Sequence, residues 1–186
     1  MKLPRSFYAQ PAEVVARALL GARLCVRQAE GRVAIGRIVE TEAYLGPRDL
    51  ASHARFGRTK RTEVMFGPPG RAYVFLVYGM HSCLNVVTSP RGEAQAVLLR
   101  ALEPVRNVER SATGPGRLCQ ALGVDRSFNG EDFRGDRLWI ENAPVPTERI
   151  KRTARIGVEY AGQWKRRRLR FCLAGNAWVS GPAGLR

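Results

Sequence analysis

The spacing of apolar and polar positions changes period several times along the chain, and each change predicts an element. In "AQPAEVVARALLG", Val14, Val15, Ala18 and Leu19 recur at helical spacing and mark the expected core face. Pro11 suits the first turn of that helix, Glu13 its positive dipole end and Gly21 its stop. "RLCVRQ" then predicts a strand, "AEGR" over 29–32 a turn, and "VAIGRIVETEAY" a longer strand. On the longer strand, alternation places Ile38, Glu40, Glu42 and Tyr44 on one face, with Val39, Thr41 and Ala43 on the other. "RAYVFLVYGMHSCLNVVT" predicts two strands closed by the tip Tyr78-Gly79-Met80-His81. "AQAVLLRALEP" predicts a third strand beside them, with Arg100 in its far half. "TGPGRLCQALG" predicts a short helix led by Pro115 and ended by Gly123, and "RIGVEYAGQW" and "LRFCLAG" a last pair of strands. No repeat or low-complexity linker divides the chain. The expected fold is α+β: a single domain over 1–186, with a mainly antiparallel curved β-sheet, a protruding β-hairpin and flanking helices.

Composition narrows the partner. The 186 residues, 45% of them apolar, suffice for a hydrophobic core. The balance of 31 Lys+Arg against 16 Asp+Glu gives a formal charge of +15, whose self-repulsion a polyanion would relieve. Lysine contributes only Lys2, Lys60, Lys151 and Lys165, and arginine forks match phosphate oxygens in pairs, which favours nucleic acid. Cys25, Cys83, Cys119 and Cys172 are widely spaced among apolar neighbours, the pattern of reduced, buried thiols. With His53 and His81 the only histidines, no metal set is expected. No apolar run resembles a signal peptide or reaches membrane-spanning length, so a soluble protein of a reducing compartment, the cytoplasm or a nucleus, is expected.

The candidate chemistry begins at Glu40 and Glu42, roughly 6.5 Å apart on one strand face. Paired carboxylates serve glycoside hydrolysis, but there they flank the bond from opposite sides, which neighbours on one strand cannot do. At most one is therefore a catalyst, and the other pairs with an arginine. The spacing alone does not choose. The Tyr78–Met80 tip places apolar side chains where turns favour Gly, Asn, Asp or Pro. It suits either a ring folded back into the core or a wedge driven between base steps of a duplex. Gly114, Gly116 and Arg117 open the short helix, where main-chain N–H groups suit a phosphate. Lys165, Arg166, Arg167, Arg168 and Arg170 form a basic run suited to DNA backbone contact.

These stretches carry a resemblance. "GRIVETEAYLGPRDLASHA", "MFGPPGRAYVFLVYGMHSCLNVVT", "VLLRALEP", "GPGRLCQALG" and "RIGVEYAGQW…LRF", in this order and over nearly the whole chain, resemble the motifs of the alkyladenine (3-methyladenine) DNA glycosylases. The resemblance implies a monofunctional base-excision repair enzyme that flips damaged purines from duplex DNA and hydrolyses the N-glycosidic bond, as a monomer without metal or cofactor. By similarity, Glu42 activates the attacking water, Arg100 helps hold it and the main-chain carbonyl of Ile156 accepts from it. Tyr44, His53 and Phe75 match the base-sandwiching pocket, and Asn85 a side chain that crowds the guanine 2-amino group. Tyr78, with Met80 beside it, matches the wedge. Phe75 stands where relatives often carry tyrosine, His81 where an aromatic is common and Arg168 where a proline is typical, while the segment 105–113 is shorter than in many relatives. The alternative reading is a non-catalytic architectural DNA-binding protein that keeps the basic sheet and the wedge.

Overall fold

The structure is a computed structural model and describes residues 1–28 and 31–181. Its longest strand organises the sheet. β2 (Val33–Tyr44) pairs along one edge with β5 (Gln95–Arg106). Its other edge is shared: the first half takes β1 (Arg23–Arg27) and the second half β8 (Arg170–Leu173). Outward from β5 lie β4 (His81–Thr88) and β3 (Ala72–Val77). Beyond β1 lies β6 (Leu138–Glu141), and beyond β8 lies β7 (Ile150–Thr153). Every pairing in this eight-stranded sheet is antiparallel. The sheet curls because strands twist and because β2 and β5 slip register between Ile38 and Thr41, where bulges bend both.

Among the described residues, three α-helices flank the sheet: α1 (Arg5–Tyr8), α2 (Ala12–Ala18) and α3 (Pro115–Leu122). Pro11 caps α2 as expected, but the buried face is Ala12, Val15, Ala16 and Leu19, while Val14 and Ala18 are exposed. The small Ala12 and Ala16 win the core face because they let the helix approach closely: Thr41 Oγ1, from the back of β2, donates to the Ala16 carbonyl at 2.8 Å. The shared core lies between this helix and the sheet, with Leu24, Ile38, Leu99, Leu102 and Phe171 fully buried.

The hairpin of β3 and β4 is present, and its turn is three residues, Tyr78-Gly79-Met80, with His81 already paired to Val77. Tyr78 has φ 51°, a left-handed conformation that a bulky L residue adopts against a cost of order 1 kcal/mol. Its ring is 89% exposed, so it does not fold back into the core. One expected strand is absent: residues 155–161 form a loop and Gly162–Arg166 a 3-10 turn, while β8 pairs instead with Ile150–Thr153. Gly157 (φ 76°) and Gly162 (φ 53°) bar the extended run that Ile156 and Val158 suggested. Of the turn expected over 29–32, Ala29 and Glu30 lie outside the described residues, as do residues 182–186 of the expected domain. All four cysteines are free and buried. No described helix is long and apolar enough to cross a membrane.

Candidate active site

Strand alternation carries Glu40, Glu42 and Tyr44 to the sheet face away from α2. Opposite the consecutive Glu40 and Thr41, β5 supplies Ala101 and Leu99, so Arg100 is the extra residue of a bulge. The bulge aims its guanidinium between the two carboxylates: Nε donates to Glu40 Oε1 at 3.0 Å, and Nη1 lies 3.3 Å from Glu42 Oε2. Burial lowers the Arg100 pKa and the charges of Glu42 and Glu40 more than offset this, so the guanidinium stays charged.

The two glutamates differ in what else holds them. Glu40 accepts from Arg170 Nε at 2.6 Å, Ser180 Oγ at 2.9 Å and Ser180 N–H at 2.7 Å, besides Arg100. Its acceptor capacity is consumed by structure. Arg170, read from the sequence as part of a basic surface, is fully buried as its ion-pair partner. Glu42 accepts from the Tyr44 hydroxyl at 2.9 Å and from the Ile156 N–H at 2.8 Å. Ile156 thus reaches Glu42 through its N–H, a contact separate from the carbonyl role toward water that the resemblance implied. Burial and the Glu42 charge hold the Tyr44 phenol well above its ordinary pKa, so it remains a donor.

A cavity of about 580 Å³ opens in front of these groups, within the roughly 300–1,000 Å³ range of small-molecule sites. Tyr44, Arg100 and Ile156 line it, and these same three residues touch Glu42, which has no exposed surface of its own. The side walls are aromatic. His53 packs edge-on to Phe75 with centroids 4.5 Å apart, and its Nδ1 lies 2.9 Å from the Tyr73 hydroxyl. Burial, followed by the Arg61 and Arg55 charges, lowers the His53 pKa to about 4, so its imidazole is neutral at pH 7. Asn85 Nδ2 donates to the carbonyls of Tyr73 (3.0 Å) and Cys83 (3.4 Å), which pins its amide against the same wall.

The structure therefore gathers Tyr44, His53, Phe75, Tyr78, Asn85, Arg100 and Ile156 around one cavity, with Glu42 directly behind. Met80, 73% exposed at the hairpin tip, is outside the lining. Gly114, Gly116 and Arg117 are also outside it, although Pro115 between them contributes to the wall. Gly114 caps α3 with φ 113°, and a Cβ on Gly116 would lie 3.2 Å from His81 Cβ, so the helix start packs against the hairpin base. Arg166, Arg167 and Arg168 are exposed and apart from the cavity, on and after a 3-10 turn rather than on a strand face.

Sequence reasoning missed four residues. Tyr73 shares the cavity with Phe75, two positions on, and strand alternation would have found it. Arg61 also lines the cavity, its guanidinium 5.5 Å from the Phe75 ring centre. Asp49 and Arg155 form a fully buried bidentate pair at 2.5 and 2.9 Å. Arg155 also donates to the Ala43 carbonyl at 2.9 Å and lies over the Tyr44 ring at 4.7 Å. The pair therefore fixes both Tyr44 and the start of the loop 155–161, whose hydroxyl and Ile156 N–H respectively supply Glu42 with hydrogen bonds. No local pattern signals it, because its partners are 106 residues apart.

Comparison with known proteins gives a consistent outcome. The family description "Methylpurine-DNA glycosylase (MPG)" matches residues 6–177. Curated relatives bear the name "putative 3-methyladenine DNA glycosylase". One from Anaeromyxobacter dehalogenans is 54% identical over 98% of this chain and 88% of its own. One from Myxococcus xanthus is 52% identical over 97% and 94%, and one from Legionella pneumophila 47% identical over 96% and 98%.

Proposed function

The chain belongs to the methylpurine-DNA glycosylase family, and on that premise we propose that it extrudes alkylated or deaminated purines from duplex DNA and releases them with water activated by Glu42. The enzyme is a DNA glycosylase, a hydrolase of N-glycosyl bonds. The observation that carries the finer reading is the division of labour between two like carboxylates: Glu40 is saturated by Arg170, Ser180 and Arg100, while Glu42 stands behind an aromatic cavity with Arg100 as its loosest partner at 3.3 Å.

A water entering from the cavity replaces that loosest contact; as the C1′–N bond breaks, its electron pair leaves with the base, the water oxygen bonds to C1′, and the water's proton then passes to Glu42 Oε2. The Tyr44 hydroxyl and the Ile156 N–H keep the carboxylate aimed meanwhile. Cleavage builds positive charge on the sugar, and the nearby carboxylate stabilises it. Arg100 orients the water from the other side, and the Ile156 carbonyl takes the role of its second acceptor. The rings of Tyr44, His53 and Phe75 hold the extruded base, and a cationic alkylated purine gains from their electron-rich faces. The neutral imidazole of His53 adds no repelling charge to that wall. Asn85, pinned by two carbonyls, stands as a fixed obstacle to the 2-amino group of normal guanine. Water is the nucleophile, so no Schiff-base lysine is required, and no lysine lines the cavity.

The deciding experiment compares wild type with Glu42→Gln on single-lesion duplexes, scoring base release by alkali cleavage. Release should fall about 10²–10⁴-fold while duplex affinity is kept or tightened. An unchanged rate would take the catalytic role away from Glu42, and strand nicking without alkali would indicate a lyase.

A further inference from the structure

A second feature of the cavity rim has no part in that scheme. Phe56 (66% exposed), Tyr160 (58%) and Leu50 (44%) present apolar surface to solvent beside one another. The Arg55 guanidinium lies over both rings, 4.5 Å from the Phe56 centroid and 4.9 Å from that of Tyr160. Arg55 Nη1 also donates to the Leu50 carbonyl, and the Tyr160 hydroxyl to the Ala51 carbonyl at 3.1 Å. A guanidinium held by two rings and a carbonyl has lost most of its rotamer freedom before any ligand arrives. The N–H groups left on its edge are therefore aimed, not searching.

This cluster is continuous with the cavity. Tyr160 and Ala51 both line it, and the turn His53–Phe56 sends His53 into the wall while Phe56 faces outward. Its surroundings are predominantly cationic: Arg48, Arg58, Lys60 and Arg61 are exposed on the same segment and outnumber the exposed Glu63 and Glu159, while Asp49 is consumed by Arg155. A polyanion matches that charge. An apolar protein groove does not.

We propose that Arg55, Phe56 and Tyr160 form a seat for the lesion-bearing DNA strand, with Arg55 gripping a backbone phosphate next to the extruded nucleotide and the two rings packing on its sugar. The inference rests on the DNA glycosylase reading, because a nucleotide inside the cavity leaves its flanking phosphates at the rim. A guanidinium held over rings suits such a grip, since its edge matches two phosphate oxygens.

The test uses the full chain and a duplex with one hypoxanthine, in which the phosphates around the lesion are replaced one at a time by uncharged methylphosphonates. With wild type, one such replacement should weaken binding about tenfold or more, the scale of a charge-assisted hydrogen bond. With Arg55→Gln that same replacement should have little further effect, the coupling expected of direct partners. Arg55→Gln should also reduce the slope of log K against log salt by about 0.9. Phe56→Ala with Tyr160→Ala should weaken binding to the unmodified duplex at least fivefold, with thermal unfolding reporting that the variants are folded. An active wild type whose methylphosphonate profile is the same in Arg55→Gln would overturn the seat alone. A wild type that neither binds nor processes lesion duplexes would overturn the glycosylase reading as well.

Discussion

Glu40 and Glu42 have the same side chain, project from the same face of β2 and stand two positions apart. Their chemistry differs because of partners brought from elsewhere in the chain. Four polar contacts tie Glu40 into the structure, and removing one member of such a buried ionic set costs about 3–5 kcal/mol. Glu42 is held by one hydroxyl, one N–H and a looser guanidinium, the arrangement from which the proposed exchange of a partner for water is argued. The Asp49–Arg155 pair makes no hydrogen bond to Glu42 but braces Tyr44 and the loop 155–161 that do, and is a positioning device in this reading. Asp49→Asn should therefore lower kcat on lesion duplexes about 10²-fold, the effect of a misplacement near 1 Å, with KM changed less than about threefold. A purely structural pair would lower the unfolding temperature and leave kcat per folded molecule unaltered, and steady-state kinetics well below that temperature separates the two.

At the scale of elements, the bulged β2–β5 pair and the β3–β4 hairpin do the positioning. Alternation along β2 and β3 was legible in the sequence, because a two-residue period states which side chains share a face. It placed Glu42 with Tyr44 directly. The bulge that aims Arg100 was not legible: an extra residue in a ladder shows only once both strands are paired. The loop 155–161 was misread as a strand for the opposite reason, since its apolar residues alternate locally while its glycines adopt positive φ. The exposed ring of Tyr78, held in a left-handed backbone conformation, fits a wedge that fills the gap left by an extruded nucleotide. Tyr78→Ala should slow release from a paired lesion roughly tenfold and from a mismatched one much less, because flipping is easier where pairing is already lost. Single-turnover rates on the two duplexes check this, and equal losses would remove the wedge role.

For the whole molecule, the charge of +15 on 186 residues is a statement about partners and not about fold. Its contributors divide once the chain is folded. Arg155 and Arg170 are buried in ion pairs, whereas Arg117 and Arg166 to Arg168 face solvent. Neutralising Arg166, Arg167 and Arg168 together to Gln should weaken binding alike on damaged and undamaged duplexes. It should also flatten the salt dependence by about 0.9 for each phosphate no longer neutralised. Titrations at several salt concentrations measure both, and an unchanged slope would assign those arginines elsewhere. Periodicity, residue type and ordered motifs were enough to establish an α+β sheet protein of this glycosylase family, because those signals are local or are carried in the order of the chain. Which carboxylate is spent in ion pairs and which borders the cavity, which arginines face solvent, and what steadies the loop 155–161 depend on contacts such as Glu40 to Arg170 and to Ser180. These span 130 and 140 residues and exist only when the sheet has curled and brought its distant ends together.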